Sequence, residues 1–327
     1  MKKKKFTFID LFAGIGGFHL AFHNVGAKCV FACEWDEPAR KTYRHNFEKI
    51  SPNVFKGGNF VGDINSIKDV NKEIPDFDIL TAGFPCQPFS QAGRKKGFED
   101  TRGTLFFNIA EILKVKQPEA FFLENVRGLL KHDDGKTFEK IKSTLEGELE
   151  YSFKHFIVKA SDYGLPQLRP RLFMIGFKDK SIDFKQPETV PLKLTMSDVW
   201  KGKCTRDIGF TLRVGGARSG IHDRRNWDGY LVDGEVKLLS PEEGRQMQGF
   251  PDNFEFPVSK AEAMKQLGNS VAVSAIQAFA GNIVEALKLS HAKLPLEKRL
   301  HSDIQPKERV KGVSQGNKRP VLAPQLS

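Results

Sequence analysis

A glycine-rich turn between an apolar strand and a helix is the feature that most narrows the possible folds. The segment KFTFIDLF (5–12) is rich in β-forming residues and is followed directly by the turn AGIGG. Apolar side chains then recur at helical spacing in FHLAFHNV (18–25), and Gly26 stands where a glycine commonly ends a helix. This order of strand, glycine turn and helix predicts the first unit of a parallel α/β sheet.

The same alternation continues through the first half of the chain. Further predicted strands are 28–35, 77–84, 120–126, 151–164 and 171–177, and further predicted helices are 36–47, 104–115 and 137–149. Asp36 is suited to be the N-cap of its helix. Alternating strands and helices predict a doubly wound parallel sheet of the Rossmann-like class.

The alternation stops near residue 180, and this suggests a division into domains. We expect a large α/β domain at 1–180, a small irregular domain at 181–262 and a helix at 263–290 that returns to the large domain. Residues 291–327 contain far more Lys and Arg than Asp and Glu and almost no aromatic residues, so we expect a flexible basic tail.

Composition restricts the classes of partner and compartment. The net charge of +11 favours a polyanionic partner such as nucleic acid, although a basic enzyme without such a partner explains the charge equally well. There is no run of 18 apolar residues and no signal-peptide pattern, so we expect a cytoplasmic protein without membrane contact. None of the four cysteines forms a C-x-x-C pair, which argues against a disulfide framework or a cysteine zinc site.

The glycine turn and an acidic residue downstream indicate a nucleoside cofactor. Glycines allow the backbone to approach a ligand at the carboxyl edge of the sheet. Glu34 ends the second predicted strand, where a carboxylate can accept hydrogen bonds from ribose hydroxyls, and Trp35 can stack on an adenine. The turn does not match G-x-G-x-x-G, which argues against a dinucleotide.

Cys86 lies in a Gly- and Pro-rich loop after the strand 77–84, on the same expected edge of the sheet. Structural cysteines usually lie within apolar elements, so an activated nucleophile is the better interpretation. Glu124 ends the neighbouring predicted strand and would bring a carboxyl group to the same pocket. Arg169 and Arg171 are two residues apart on an extended segment and can face the same side, although a solvated basic edge remains open.

Ordered motifs resemble those of bacterial DNA (cytosine-5)-methyltransferases of restriction–modification systems. The matching stretches are FIDLFAGIGGF, EW, GDI, GFPCQPFSQAG, GFEDTRGTLFF, FFLENVRGL, LPQLRPRLFMIGF, SPEEGRQMQGFP and QLGNSV. Gly244 and Gln246 depart from the family, which more often has Ala and an aliphatic residue there. The resemblance implies a catalytic domain that binds S-adenosylmethionine (SAM), a target-recognition domain and double-stranded DNA with a specific short site between them.

The resemblance also assigns roles to residues. Cys86 would be the nucleophile that adds to C6 of a flipped cytosine, Glu124 would engage N3, and Arg171, with Arg169 nearby, would support the base. The implied SAM site comprises Phe12, Gly14, Gly16, Glu34, Trp35, Asp63, Ile64, Pro85, Asn269 and Ser270. SAM would leave as S-adenosylhomocysteine. The resemblance further implies a monomer that associates with the bacterial nucleoid and is functionally linked to a restriction endonuclease.

Residues 205–230 are rich in arginine and predict the DNA-reading segment. Arginine binds guanine through two hydrogen bonds but also binds phosphates, so the base-reading residue stays open. The predicted DNA contacts are Gln87, Ser90, Thr211, Arg213, Arg218, Arg224 and Arg225. His19 and His23 have the spacing of a metal pair on a helix, but no third ligand is evident, so we expect no metal.

Two other functions remain open at this point. One is a tRNA cytosine-5 methyltransferase on the same fold, although the Cys-Phe-Thr segment typical of that group is absent. The other is a DNA-binding regulator without catalytic activity, against which the presence of Cys86, Glu124 and Arg171 argues.

Overall fold

The computed structural model describes residues 5–85, 105–215 and 219–293. The strands of its main sheet are β1 (Thr7–Leu11), β2 (Lys28–Cys33), β3 (Phe60–Val61), β4 (Ile79–Gly83), β5 (Ala120–Val126), β6 (Lys154–Val158) and β7 (Arg171–Phe177). Their order is β3-β2-β1-β4-β5-β7-β6. The first five strands pair in parallel, whereas β7 is antiparallel to both β5 and β6. The doubly wound α/β sheet is confirmed, but it is mixed rather than fully parallel.

Helices cover both faces of this sheet. In chain order, the α-helices of the described residues are α1 (Gly17–Asn24), α2 (Glu37–Phe47), α3 (Val70–Glu73), α4 (Leu105–Lys116), α5 (Lys136–Lys142), α6 (Met196–Trp200), α7 (Pro241–Gln248), α8 (Lys260–Asn269) and α9 (Val273–Lys293). Two predicted helix ends are confirmed. Gly26 follows α1 with φ +87°, and the side chain of Asp36 caps α2 by accepting from the N–H of Ala39 at 3.1 Å.

The central strands are buried on both sides, as expected when helices cover both faces. Along β5, Phe122 points into the cluster formed with α1, α2 and α9, whereas Phe121 and Leu123 point into the cluster formed with α4 and α5. Side chains alternate between faces along a strand, so one short apolar segment supplies both cores.

The helical pattern at the end of the chain differs from the expected single return helix. It is broken at residues 270–272 between α8 and α9, and α9 continues to Lys293, beyond the expected start of the tail at 291. α9 packs against α1. Residues 294–327, with most of the predicted tail, lie outside the described residues.

The segment between β7 and α8 is largely irregular. It contains α6, α7 and a hairpin of β8 (Gly229–Val232) and β9 (Glu235–Leu238). A Cβ atom at Gly244 would lie 2.9 Å from Leu267, so the close packing of α7 on α8 accounts for glycine at this position. The domain boundaries inferred from the sequence remain predictions.

In the part of the chain that the structure describes, no single helix is both long and apolar enough to cross a membrane. The bent pair α8 and α9 meets that criterion only when the two helices are taken together.

Substitution of Phe279 in α9 tests how much the aromatic core between the sheet and α9 contributes to stability. Its fully buried ring contacts the rings of Phe122, Phe156, Tyr163, Phe173 and Phe184. Phe279→Ala should lower the free energy of unfolding by about 3–5 kcal/mol because it leaves a large cavity. On the same helix, Leu289 is 55% exposed, and Leu289→Ala should change it by less than about 0.5 kcal/mol. Urea unfolding of both variants measures the difference, and equal losses would contradict this account of the core.

Candidate functional site

Several segments meet at the carboxyl edge of the sheet. The parallel strands β1, β2, β4 and β5 end there, and β7 begins there because it runs in the opposite direction. The cleft along this edge has a volume of about 910 Å³, which is within the range of roughly 300–1,000 Å³ that is usual for small-molecule sites. It is therefore large enough for a nucleoside-type ligand.

Most of the residues predicted from the sequence line this one cleft. They are Phe12, Gly14, Glu34, Trp35, Asp63, Ile64, Pro85, Glu124, Arg169, Arg171, Thr211, Arg213 and Asn269. Gly16 and Ser270 are not in the described lining. A Cβ atom at Gly16 would overlap the ring of Phe47, so this glycine allows α2 to pack closely on the loop. Cys86, Gln87, Ser90 and Arg218 lie outside the described residues.

Glu34 holds the glycine loop in place. Its Oε2 accepts a hydrogen bond from the backbone N–H of Gly14 at 2.7 Å, and its Oε1 accepts one from the N–H of Asp36 at 2.8 Å. Burial raises the pKa of the Glu34 carboxyl, and these backbone donors oppose the rise. The carboxyl group keeps further lone pairs available for donors on a ligand.

The surroundings of Glu34 fit a nucleoside. The indole of Trp35 is 82% exposed, which leaves an aromatic face available beside a buried carboxyl group. Gln266 also lines the cleft, is buried and accepts a hydrogen bond from the hydroxyl of Thr42 at 2.9 Å. Its amide Nε2 has no partner within the described residues.

Glu124 and Arg171 form an ion pair in the same cleft. The Nε of Arg171 lies 2.9 Å from Oε1 of Glu124, and both side chains are largely buried. Burial raises the pKa of the Glu124 carboxyl, and the charges of Arg171 and Arg169 oppose this rise. Burial thus favours the protonated form of this carboxyl group, and a carboxyl group that holds its proton more firmly suits a general acid.

Arg169 has a different environment from Arg171. Its side chain is only 1% exposed, and its guanidinium group donates to the backbone carbonyls of Leu212, Gly268 and Ser270. The sequence predicted both arginines to act on a substrate. The observed contacts of Arg169 are instead with the protein backbone.

Sequence reasoning did not single out Asn125, which holds the segment before Cys86. Its side-chain Nδ2 donates to the carbonyl of Phe84 at 2.9 Å, and its Oδ1 accepts from the N–H of Val126 at 2.8 Å. The position next to Glu124 at a strand end was the available signal. Lys265 and Gln266 were also missed, although they lie one helical turn before Asn269 and line the cleft.

The candidate DNA-reading residues have distinct surroundings. Arg213 lines the cleft. Arg225 binds the carboxylate of Asp223 through Nε and Nη2, with the shortest contact at 2.7 Å, and Arg206 lies over the ring of Phe210 at 4.2 Å. These contacts do not identify which arginine reads a base, so the assignment remains a prediction.

His19 is part of the core. Its Nδ1 lies 2.6 Å from the hydroxyl of Tyr43 and its Nε2 lies 2.9 Å from that of Ser51. Burial lowers its pKa to about 3. Both ring nitrogens are therefore engaged by hydroxyl groups, and this role in packing explains the histidine without a metal.

Comparisons with known proteins identify the family. The family model described as C-5 cytosine-specific DNA methylase matches residues 6–212 and 203–285. The type II methyltransferase M.HpaII of Haemophilus parainfluenzae is 42% identical, with 87% of this chain and 91% of the relative covered. The type II methyltransferase M.HhaI of Haemophilus parahaemolyticus is 38% identical, with 88% of this chain and 98% of the relative covered.

Solved structures agree on the fold. A putative DNA modification methyltransferase encoded within an E. coli prophage has a TM-score of 0.66 at 22% identity, over 87% of this chain and 100% of that chain. The Dnmt2 methyltransferase of S. pombe has a TM-score of 0.60 at 18% identity, over 87% of this chain and 100% of that chain.

The raised pKa of Glu124 predicts a pH-dependent stability. The ordinary pKa of a glutamate is near 4.5. At a pH above this value, the carboxyl group of the unfolded chain releases its proton while that of the folded protein retains it. The stability of the wild-type protein therefore falls as the pH rises towards the pKa of the folded state. Glu124→Gln removes this dependence. Its free energy of unfolding should therefore rise relative to wild type as the pH increases through that window.

A second glutamate gives a control of opposite sign. Arg245 lowers the pKa of Glu242 in the folded protein. Glu242→Gln should therefore lose stability relative to wild type as the pH rises from below this lowered pKa to the ordinary pKa of a glutamate. Urea unfolding between pH 3 and 8 measures both trends. A flat difference for Glu124→Gln would contradict the raised pKa.

Proposed function

Because this chain belongs to the family of C-5 cytosine-specific DNA methylases, we propose that it transfers a methyl group from SAM to C5 of a cytosine in a specific short site of double-stranded DNA. The observation that carries the proposal is one cleft that holds two sets of groups. Glu34 and Trp35 suit a nucleoside cofactor, and the Glu124–Arg171 pair suits a cytosine. Modification would protect the host DNA from a linked restriction endonuclease, as the names of the type II relatives suggest.

SAM, when bound, supplies an electrophilic methyl group. The residues that would hold it are Phe12, Gly14, Glu34, Trp35, Asp63, Ile64, Pro85 and Asn269, which all line the cleft. Glu34 would accept hydrogen bonds from the ribose hydroxyls, and the exposed indole of Trp35 would cover the adenine. Gly16 supports this site through the packing of α2 on the loop, and Ser270 does so through its carbonyl contact with Arg169.

The chemistry needs an activated C5, because the aromatic ring of cytosine is a weak nucleophile at that carbon. The thiolate of Cys86 adds to C6 while Glu124 gives a proton to N3, and the electron pair of the opened C5=C6 bond becomes available at C5. C5 takes the methyl group, which leaves S-adenosylhomocysteine, and N3 returns its proton to Glu124. C5 then loses its proton to water. Elimination of the thiolate restores the C5=C6 bond and frees the enzyme. Arg171 holds the Glu124 carboxyl in position during these steps.

The base must leave the duplex for this reaction. Glu124 and Arg171 are largely buried within the cleft, and a stacked cytosine cannot reach them. The net charge of +11 favours binding to the DNA backbone. We propose that Thr211 and the arginines at positions 213, 218, 224 and 225, together with Gln87 and Ser90, contact the DNA. We also propose that the protein acts as a cytoplasmic monomer associated with the nucleoid.

Binding measurements test the cofactor site. Glu34→Ala should weaken SAM binding by about tenfold or more, because a buried charge-assisted hydrogen bond is lost. Trp35→Ala should weaken it by about two- to tenfold, since a stacked aromatic ring is lost, and Trp35→Phe should retain most of the affinity. Glu37→Ala, at an exposed position at the start of α2, is the control and should bind like wild type. Unchanged affinity in both Glu34→Ala and Trp35→Ala by calorimetry would overturn the assignment of this site.

A mechanism-based trap tests the nucleophile. Fluorine at C5 cannot leave as a cation, so methyl transfer to 5-fluorocytosine should leave the enzyme covalently attached to the duplex. A denaturation-resistant adduct should form with SAM and wild-type protein, more slowly with Glu124→Gln and not with Cys86→Ser. Cys204→Ser changes a buried cysteine of the small domain and should be trapped like wild type.

The same assay separates the remaining alternatives. An adduct with a 5-fluorocytosine tRNA but not with duplex DNA would make the substrate RNA. Absence of an adduct and of methyl transfer with either nucleic acid would favour a non-catalytic DNA-binding protein. Trapping of Cys86→Ser would place the nucleophile at another residue.

A further inference from the structure

Arg169 connects two segments that the proposed function assigns to different ligands. Its Nη1 donates to the carbonyl of Leu212 at 3.2 Å, and its Nη2 donates to the carbonyl of Gly268 at 2.9 Å and to that of Ser270. Gly268 and Ser270 flank Asn269, which we assign to SAM. Leu212 follows Thr211, which we assign to DNA. A single buried guanidinium group thus holds both segments.

The end of helix α8 explains why a cation is stable at this buried place. The last carbonyls of a helix have no partners within the helix and carry the negative end of its dipole. Arg169 binds the carbonyl of Gly268 at this end, and the amide of Gln248 donates to that of Leu267 at 2.7 Å. Burial lowers the pKa of Arg169, and the nearby charge of Glu124 opposes this effect.

The backbone of the same region ties the two segments together more closely. The N–H of Arg169 donates to the hydroxyl of Thr211 at 3.1 Å, and the N–H of Leu212 donates to Oε1 of Gln167 at 3.0 Å. A Cβ atom at Gly268 would lie 2.6 Å from the carbonyl carbon of Arg213. The DNA-reading segment therefore lies directly against the end of α8, with no side chain between the two backbones.

Arg169 also has a backbone conformation that its surroundings must maintain. Its φ angle is +33°, in the left-handed region that non-glycine residues rarely adopt. Proline follows at position 170, which further restricts the residue before it. Strain of this kind persists where neighbouring contacts over-determine the structure, and it is concentrated at functional sites.

We propose that Arg169 is a positioning residue that couples SAM binding to DNA binding. A ligand that orders residues 268–270 also orders residues 211–212 through the shared guanidinium group, so the second ligand binds to a segment that is already in place. Arg169 itself contacts the backbone rather than the target base. This inference rests on the proposed function, because it takes Asn269 and Thr211 as ligand contacts.

The test is the effect of one ligand on the affinity for the other. In wild-type protein, saturating S-adenosylhomocysteine should raise the affinity for a duplex of the target site by at least about fivefold, and the duplex should raise the affinity for S-adenosylhomocysteine by the same factor. Arg169→Lys keeps the charge but lacks the planar fork that reaches both segments. In this variant, each ligand should change the affinity for the other by less than about twofold.

A second buried arginine is the matched control. Arg245 is also buried, but its partners Glu242, Phe250 and Asp252 all lie around α7. Arg245→Lys should lower the melting temperature and leave the coupling factor unchanged. If Arg169→Lys does not fold, Thr211→Val, which removes the acceptor for the Arg169 N–H, should lower the coupling factor and Thr211→Ser should preserve it.

The outcomes separate this inference from the proposed function. Two results would overturn the role of Arg169 and leave the proposed function intact. One is wild-type protein that binds both ligands without coupling, and the other is an Arg169→Lys variant that folds and keeps the wild-type coupling factor. An equal loss of coupling in Arg245→Lys would assign the effect to general destabilisation and would also overturn it. Wild-type protein that binds neither ligand would overturn the proposed function and this inference with it.

Discussion

The pairing of β7 against β5 is the constraint on which the candidate chemistry depends. Because β7 is antiparallel, its first residue lies at the edge where the parallel strands end, and Arg171 pairs in register with Val126. Cross-strand neighbours two residues apart face the same side, so Arg171 reaches Glu124 diagonally across the pair. With a parallel strand at this position, the start of the strand and its arginine would lie at the opposite edge of the sheet.

The electrostatics of the cleft follow from this arrangement. Glu124, Arg169 and Arg171 all line the cleft, and the two arginines have different partners. Glu124 is paired with Arg171, whereas Arg169 is stabilised by carbonyl groups at the end of α8. Burial raises the pKa of Glu124 although two cations are close to it. Burial thus favours the protonated carboxyl group even beside positive charges, and those charges also suit a polyanionic substrate.

The end of α8 brings together the segments that we propose to bind the cofactor and the DNA. The break at residues 270–272 turns the chain between α8 and α9, and Asn269 lies at this turn in the wall of the cleft. Thr42 and Asp36 of the α2 region contact Gln266 and Lys265 of α8, while residues 211–213 lie against Gly268. A helix far along the chain thereby completes a site whose first half is formed by residues 12–36.

Local sequence signals were sufficient for the class of fold and for much of the site. Glycines, caps and apolar periodicity act within a few residues, so the turn after β1, the cap at Asp36 and the placing of Glu34 and Glu124 near the ends of strands could be inferred from the residues themselves. The reversed direction of β7, the break after α8 and the burial of Arg169 could not. They depend on contacts between residues that are about 40 to 100 positions apart, such as Arg169 with Leu212 and Ser270. The sequence alone determined which groups are available for chemistry, and the tertiary structure decided which of them face the cleft and which hold its walls together, because only packing determines where a buried charge finds its partners.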